Sequence, residues 1–315
     1  MARDIPRAGA SVFRGAARVA VAFLLAACGG DDDGANDDGA GGADAAPAGD
    51  GSTDRATDFE PNPVGTVQLV ESNVAGLQSA QATLRDRAEQ PPALLLASEG
   101  DCEIWTHALE PAQCDPPCQG GYCVSDGQCE PFPEPISAGE IEVTGLTQDL
   151  RFVPEKFGYT SQPDILPEDL FDDVAAIEVT APGGDAPGFT LSATGVAPLV
   201  ADLDLDFDVT LVIEDQVDEV IRWTPASSGR IQLGLQVGWH GAAYEALLLC
   251  EADDADGELI VPGSLIERFP PRADPTGEQH GSWMARFTRD VIDTDAGPLE
   301  LFIASRLLIL QIDHR

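Results

Sequence analysis

Lysine is almost missing from this chain. Lys156 is the only one in 315 residues, and Lys and Arg together number 17 against 55 Asp and Glu, a formal net charge of −38. Attachment to nucleic acid or to an anionic membrane face relies on clustered Lys and Arg. A chain so poor in cations argues against a nucleic-acid partner and describes a solvated, self-repelling surface instead. Histidine is scarce too: His107, His240, His280 and His314 are scattered, with no HExxH pair and no second ligand at helical spacing. A GxSxG elbow, a GxxxxGK phosphate cradle and a GxGxxG turn are all missing. Two opposed carboxylates would suffice for glycoside hydrolysis, but among 55 acids no pair singles itself out. No catalytic residue is therefore nominated, and no cofactor is required by any motif. Long apolar runs are also lacking. The longest near the N-terminus, Val19 to Ala27, is nine residues, whereas a bilayer core of about 30 Å needs roughly 20 in a helix. Leu307-Leu308-Ile309-Leu310 lies beside Arg306 and Asp313 and suits a buried terminal strand.

What the N-terminus does have is the make-up of an export signal. Arg3, Arg7, Arg14 and Arg18 precede the short apolar run, and small residues close it. Leu25-Ala26-Ala27-Cys28 resembles the lipobox of bacterial lipoproteins. The resemblance implies that residues 1–27 are a lipoprotein signal peptide and that Cys28 is diacylated on sulfur by palmitate-type chains. Each buried methylene contributes about 0.8 kcal/mol, so several chains on one residue make a durable membrane anchor. Gly29, rather than Asp, follows the cysteine, which by the same resemblance implies the outer membrane, with periplasmic and surface faces both open. Residues 28–60 hold ten acids, one arginine and little to bury. They read as a disordered, charge-stretched tether.

Removing residues 1–27 leaves six cysteines besides Cys28. Cys102, Cys114, Cys118, Cys123 and Cys129 crowd among prolines and glycines within residues 61–135, a segment of short strands and a Cys-rich module. Gaps of three, four and five residues with no nearby HxxxH suit disulfides of an oxidising compartment better than zinc. Cys118 to Cys123 is faintly similar to an epidermal-growth-factor-type module, with too few matching features to carry anything over. Five cysteines cannot pair among themselves, so full oxidation requires one to reach Cys250. Fifteen connectivities are open. The favoured set is Cys102–Cys250, Cys114–Cys123 and Cys118–Cys129, with the first expected to staple the module to the domain that follows.

Residues 136–315 are a succession of β signals separated by Pro, Gly and Asp. Glu140 to Gly145, Ala176 to Thr180, Ile231 to Trp239 and Ala246 to Cys250 all fit, and Asp202 to Ile213 alternates most cleanly, with apolar odd positions and aspartates at 202, 204, 206 and 208. The fold expected is all-β: an antiparallel β-sandwich behind a small disulfide-rich module and an acidic tether. Earlier, Thr66 to Glu71, Leu94 to Ala97 and Cys102 to Trp105 read as strands, while Ser79 to Glu89 is open between strand and helix. The stretch from Trp223-Thr224-Pro225 through Cys250 to Gly257 and Ile260-Val261-Pro262 resembles the β-sandwich of uncharacterised bacterial lipoprotein families. That resemblance brings structural motifs and no activity.

Asp253, Asp254 and Asp256 before Gly257 are weak Ca²⁺ candidates. Oxygen ligands in a loop suit that ion, but the EF-hand register fails, and an Asp-Gly hairpin turn explains them as well. The function expected is a non-enzymatic binding or structural module at the cell envelope, held to the membrane by its lipid, with a protein or glycan partner. The rival is an exported hydrolase of polysaccharide or peptide working through carboxylates.

Overall fold

A computed structural model describes residues 57, 59–72, 78–88, 92–107, 114–125, 127–203, 210–226, 228–238, 244–270 and 281–315. Cys28, most of the acidic tether, and Asp204, Asp206 and Asp208 lie outside them. The regular structure of the described residues is nearly all strand: β1 (Gly65–Ser72), β2 (Ser79–Leu84), β3 (Ala93–Glu99), β4 (Cys102–His107), β5 (Gly121–Ser125), β6 (Gln128–Pro131), β7 (Ile141–Thr144), β8 (Leu150–Glu155) and β9 (Gly158–Gln162) come first. Then follow β10 (Ala176–Ala181), β11 (Phe189–Thr194), β12 (Thr210–Ile213), β13 (Glu219–Arg222), β14 (Arg230–Gly238), β15 (Tyr244–Asp253), a 3₁₀ turn at Asp254–Asp256, β16 (Glu258–Val261), α1 (Gly263–Ile266), β17 (Ser282–Thr294) and β18 (Gly297–His314).

One nine-stranded sheet carries the fold, in the order β2-β1-β18-β17-β14-β15-β4-β3, with β12 also on β18. Of the stretch 79–89, residues 79–84 form a strand, with Ala82 and Leu84 alternating inward against β1. The division at residue 135 does not separate two bodies, since β1 to β4 share this sheet with β14, β15, β17 and β18. The sandwich is also not purely antiparallel. β1 pairs with β18 in parallel, from Gly65↔Leu299 to Ser72↔Leu307, and β12 does so further along, from Thr210↔Gln311 to Ile213↔His314.

β18 bears both pairings because it is one continuous strand of 18 residues, and it contains a bulge. Against β17, Met284 faces Leu308 but Arg286 faces Ser305, so β18 carries one extra residue there, with Arg306 at φ 49°. An extra residue shifts side-chain parity. Leu299, Leu301 and Ile303 before the bulge and Leu308, Leu310 and Ile312 after it therefore line the same face. Glu71 pins the bulge: Ser305 Oγ donates to it at 2.6 Å and the Leu170 N–H at 2.8 Å.

That face has two covers. The five-stranded sheet β11-β10-β7-β8-β9 closes one core over β1, β2 and the start of β18 with Ile141, Phe152, Val179 and Leu191. The β13–β16 pair and α1 close the other over β14, β15, β4 and the end of β18 with Ile221, Leu259, Ile266 and Phe269. Residues 196–201 pass from the first core to the second, Val196 belonging to one and Leu199 and Ala201 to the other.

Three disulfides form: Cys102–Cys250, Cys114–Cys123 and Cys118–Cys129. The first sits inside the large sheet, where Cys102 of β4 faces Cys250 of β15. It does not staple the module to the sandwich, because Cys102 is a strand residue of the sandwich itself. The module is the β5–β6 hairpin with its two interlocked bridges. It reaches the body through backbone bonds from Asp86 to Glu134 and from Ile136 to Leu84.

Candidate functional site

Of the three calcium candidates, Asp254 is drawn into structural work. Gly257 closes the 3₁₀ turn with φ 71°, a conformation glycine adopts without a Cβ clash. The turn aims the Asp254 carboxylate inward onto Arg286, with Oδ1 at 2.9 Å from Nε and 2.8 Å from a terminal nitrogen. The other oxygen of Asp254 accepts the Ala226 N–H at 2.5 Å. Asp253 and Asp256 point to solvent, and Asp253 makes a loose 3.7 Å contact with Arg230. Among the described residues the one cluster of three ligand-type atoms is Cys114, Cys118 and Cys123, all committed to disulfides. His107 ends β4, His314 bonds Asp215 at 2.9 Å and stacks on Phe269, and His240 and His280 lie outside the described residues.

The opposite face of the large sheet carries a polar stripe that sequence reasoning missed. Strand alternation puts Gln232 of β14, Glu251 of β15, Trp283 and Arg289 of β17, and Glu300 of β18 on it together. Trp283 Nε1 donates to Gln232 Oε1 at 2.9 Å, and Gln232 Nε2 donates to Glu251 Oε1 at 2.8 Å. Arg289 reaches Glu251 at 3.0 Å, and its Nε lies 2.5 Å from Glu300, a charge contact off the N–H direction. Its guanidinium also covers the stacked rings of Phe287 and Phe302. Burial pulls the Arg289 pKa down, but Glu251 and Glu300 outweigh it and hold the guanidinium above its ordinary value. Burial raises the Glu300 carboxyl, against the lowering by Arg289 and with help from Glu251 and Glu60. Folded Glu300 thus holds its proton better than unfolded Glu300 does. Its contribution to stability is full below the ordinary glutamate value and is lost as pH rises through its raised one.

Trp283 can lie across the stripe only because residue 234 is glycine. A Cβ there would fall 2.4 to 2.5 Å from three indole atoms. Gly234→Ala is expected to cost about 1–3 kcal/mol through overpacking, with a shift in tryptophan emission as the indole is displaced. Urea unfolding followed by that fluorescence checks it; an unchanged midpoint and spectrum would show that the ring has room to move.

Towards β4 the same face is strapped by Thr57 and Phe59. Thr57 Oγ1 donates to Glu103 Oε2 at 2.6 Å, Trp105 Nε1 donates to the same oxygen at 3.1 Å, and Phe59 packs edge-on against Trp105 at 5.9 Å. Residues 57, 59 and 60, assigned above to the tether, are therefore part of the folded body: the hydroxyl and the ring find partners that the acidic repeat before them does not offer. Next to the strap runs β3, an edge of the sheet. Asn62 takes up the edge groups of Ala93, accepting from its N–H at 2.9 Å and donating to its carbonyl at 3.5 Å. Beyond it Leu94, Leu95 and Leu96 are 49, 48 and 57% exposed. The run was legible as a strand, but nothing local says that its partner lies on one side only.

A depression of about 190 Å³ lined by Leu146, Leu150, Leu166 and Leu170, with Gln148 and Asp149 at its rim, is smaller than the roughly 300–1,000 Å³ of small-molecule sites. Glu251 and Glu300 are both spent on Arg289. Comparison with protein-family models, with curated proteins and with solved structures finds no match.

Proposed function

We propose that this protein is a lipid-anchored, non-enzymatic binding module of the bacterial cell envelope, with Cys28 as its membrane attachment and the sandwich as the part that meets a partner. The single observation that supports binding is the β3 edge, where three consecutive leucines stand about half exposed at one end of the large sheet. Exposed apolar edges are templates for association, and soluble monomers blunt them with charge, proline or a covering loop. Leu94 to Leu96 carries no charge or proline of its own and, among the described residues, stays about half exposed. The basic leader and the Leu25-to-Cys28 match support the anchor, and Gly29 supports the outer membrane. The acidic composition supports a protein or glycan partner over nucleic acid.

The anchor is tested by metabolic labelling with a clickable fatty acid. The wild-type chain is expected to take label and to stay with membranes after a salt wash, whereas Cys28→Ser takes none and is released. Equal labelling of the variant overturns the anchored reading.

A further inference from the structure

We infer that the β3 edge takes up an extended segment of a basic partner by strand addition, as a tenth strand beside Leu94–Leu96. The inference deepens the binding reading above and rests on it.

The backbone argument starts from Asn62. Both main-chain groups of Ala93 are held by the Asn62 side-chain amide, so they point away from β4 and towards the open edge. In an antiparallel ladder alternate residues turn both groups the same way. Leu95, paired with Trp105 and two residues on, therefore presents its N–H and C=O outward as well. Outside the β3–β4 ladder, no backbone bond reaches either group among the described residues. Asn62 is already a one-residue imitation of an added strand, and it stops where the leucines begin. Between Leu95 and Ala97 the ladder with β4 slips by one residue, which leaves Leu96 as a bulge. The segment that docks therefore meets apolar side chains on both sides of the edge.

Charge decides the occupant. Glu60, whose carboxylate accepts the Asn62 N–H at 3.1 Å, lies at the Ala93 end. At the other end Glu99, which accepts from Ser264, and Asp101 are exposed. The edge is thus three leucines between acids. A second copy of this chain would bring its own acids and a net charge of −38 to the same place, which Coulomb repulsion opposes over a Debye length of about 8 Å. An anionic lipid surface meets the same objection. The complement is a strand with apolar residues in its middle and Lys or Arg at its ends. β3 has seven residues, so at about 3.3 Å per residue the occupant spans about 23 Å. Strand addition of this kind takes affinity from main-chain bonds and specificity from alternate side chains.

The test uses the purified full-length chain and a fluorescent peptide array in which valine, isoleucine, leucine or tyrosine alternates with threonine between flanking lysines. Members of the array are expected to bind, to weaken as salt is raised from 50 to 300 mM, and to lose about tenfold or more when the lysines are replaced by glutamates. N-methylation of alternate amides of the best binder is expected to remove binding to the unchanged protein. On the protein side, Leu95→Pro removes the outward N–H without touching the ladder to β4 and should abolish binding, while Leu95→Thr keeps the backbone and retains part of it. Lysine and glutamate peptides bound equally, N-methyl peptides bound as well as their parents, or no array member bound at all would each overturn the inference. Concentration-dependent self-association removed by Leu95→Pro, or uptake by vesicles of anionic lipid, would do so too by identifying a different occupant. Loss of fatty-acid labelling with intact peptide binding sinks the anchored reading alone; labelling without peptide binding sinks this one alone.

Discussion

Arg286→Met is expected to lower the stability of the folded chain by about 3–5 kcal/mol, the usual consequence of removing one partner of a buried ion pair. Arg286 is the largest fully buried side chain, and its position explains the size of the effect. It stands on the covered face of the large sheet at the seam between the two covers. Besides Asp254, it donates to the carbonyls of Ala197 at 3.1 Å, Pro198 at 2.6 Å and Thr224 at 2.8 Å. Those carbonyls belong to the passage from one core to the other and to the segment after β13. Methionine fills much of the space but donates nothing, so a buried carboxylate and three buried carbonyls lose their partner together. Asp254→Asn keeps an acceptor for the Ala226 N–H and removes the charge. Combined with Arg286→Met it should cost clearly less than the sum of the two single changes, because the uncompensated carboxylate is gone. Equilibrium urea unfolding of the four proteins in that cycle measures this. An Arg286→Met variant within about 0.5 kcal/mol of the wild type, the range of an ordinary surface change, would mean that water or a neighbour replaces the guanidinium at no cost.

The seam shows why only part of this fold is readable from sequence. Alternation is local, so the strands at 231–239 and 246–250 stand out, and parity alone sends one of the clustered cysteines to Cys250. β8 is harder to see, since Pro154 lies within it and reads as a break. Partners are non-local. Nothing in Thr66 to Glu71 announces a parallel neighbour more than 200 residues later, and none of the spacing rules points Asp254 at Arg286. One signal was available and says more than a strand boundary: inward positions in the last segment run 299, 301, 303 and then 308, 310, 312. That change of phase across Ser305 and Arg306 is the imprint of a bulge in a continuous strand. Likewise Glu251, set directly after Leu247-Leu248-Leu249-Cys250, is a charge in a strand too apolar to be half solvated, and such a charge needs a buried partner. Arg289 and Arg230 are its partners. For the candidate site, the leucines of β3 were legible as strand and their exposure was not, because exposure depends on which elements fail to cover them.

Replacing both Cys102 and Cys250 by alanine is expected to remove about 5 kcal/mol on the chain-entropy account, which grows with the length of the loop that the bridge closes. The separation is 148 residues, against 9 and 11 for the two bridges of the β5–β6 hairpin. The long loop contains β5 to β14 entire, so the bridge holds together strands that folding must otherwise find across most of the domain. Both cysteines are fully buried in the core beneath β13, β16 and α1, and the two alanines add a small packing loss there. Against the 5–15 kcal/mol that a typical domain has in total, such a loss leaves little or no folded chain at elevated temperature. The consequences should differ by place. Because β17 and β18 contribute to both cores, the two should unfold in one transition at a lower urea midpoint. Removing Cys114–Cys123 and Cys118–Cys129 should instead loosen the hairpin alone, opening it to protease while the main midpoint moves little. Non-reducing digestion and mass spectrometry establish the pairing first; denaturation of the bridge variants then ranks them. Recovery of Cys250 as a free thiol in the wild type, or a main transition more sensitive to the hairpin bridges than to Cys102–Cys250, would contradict this division of labour.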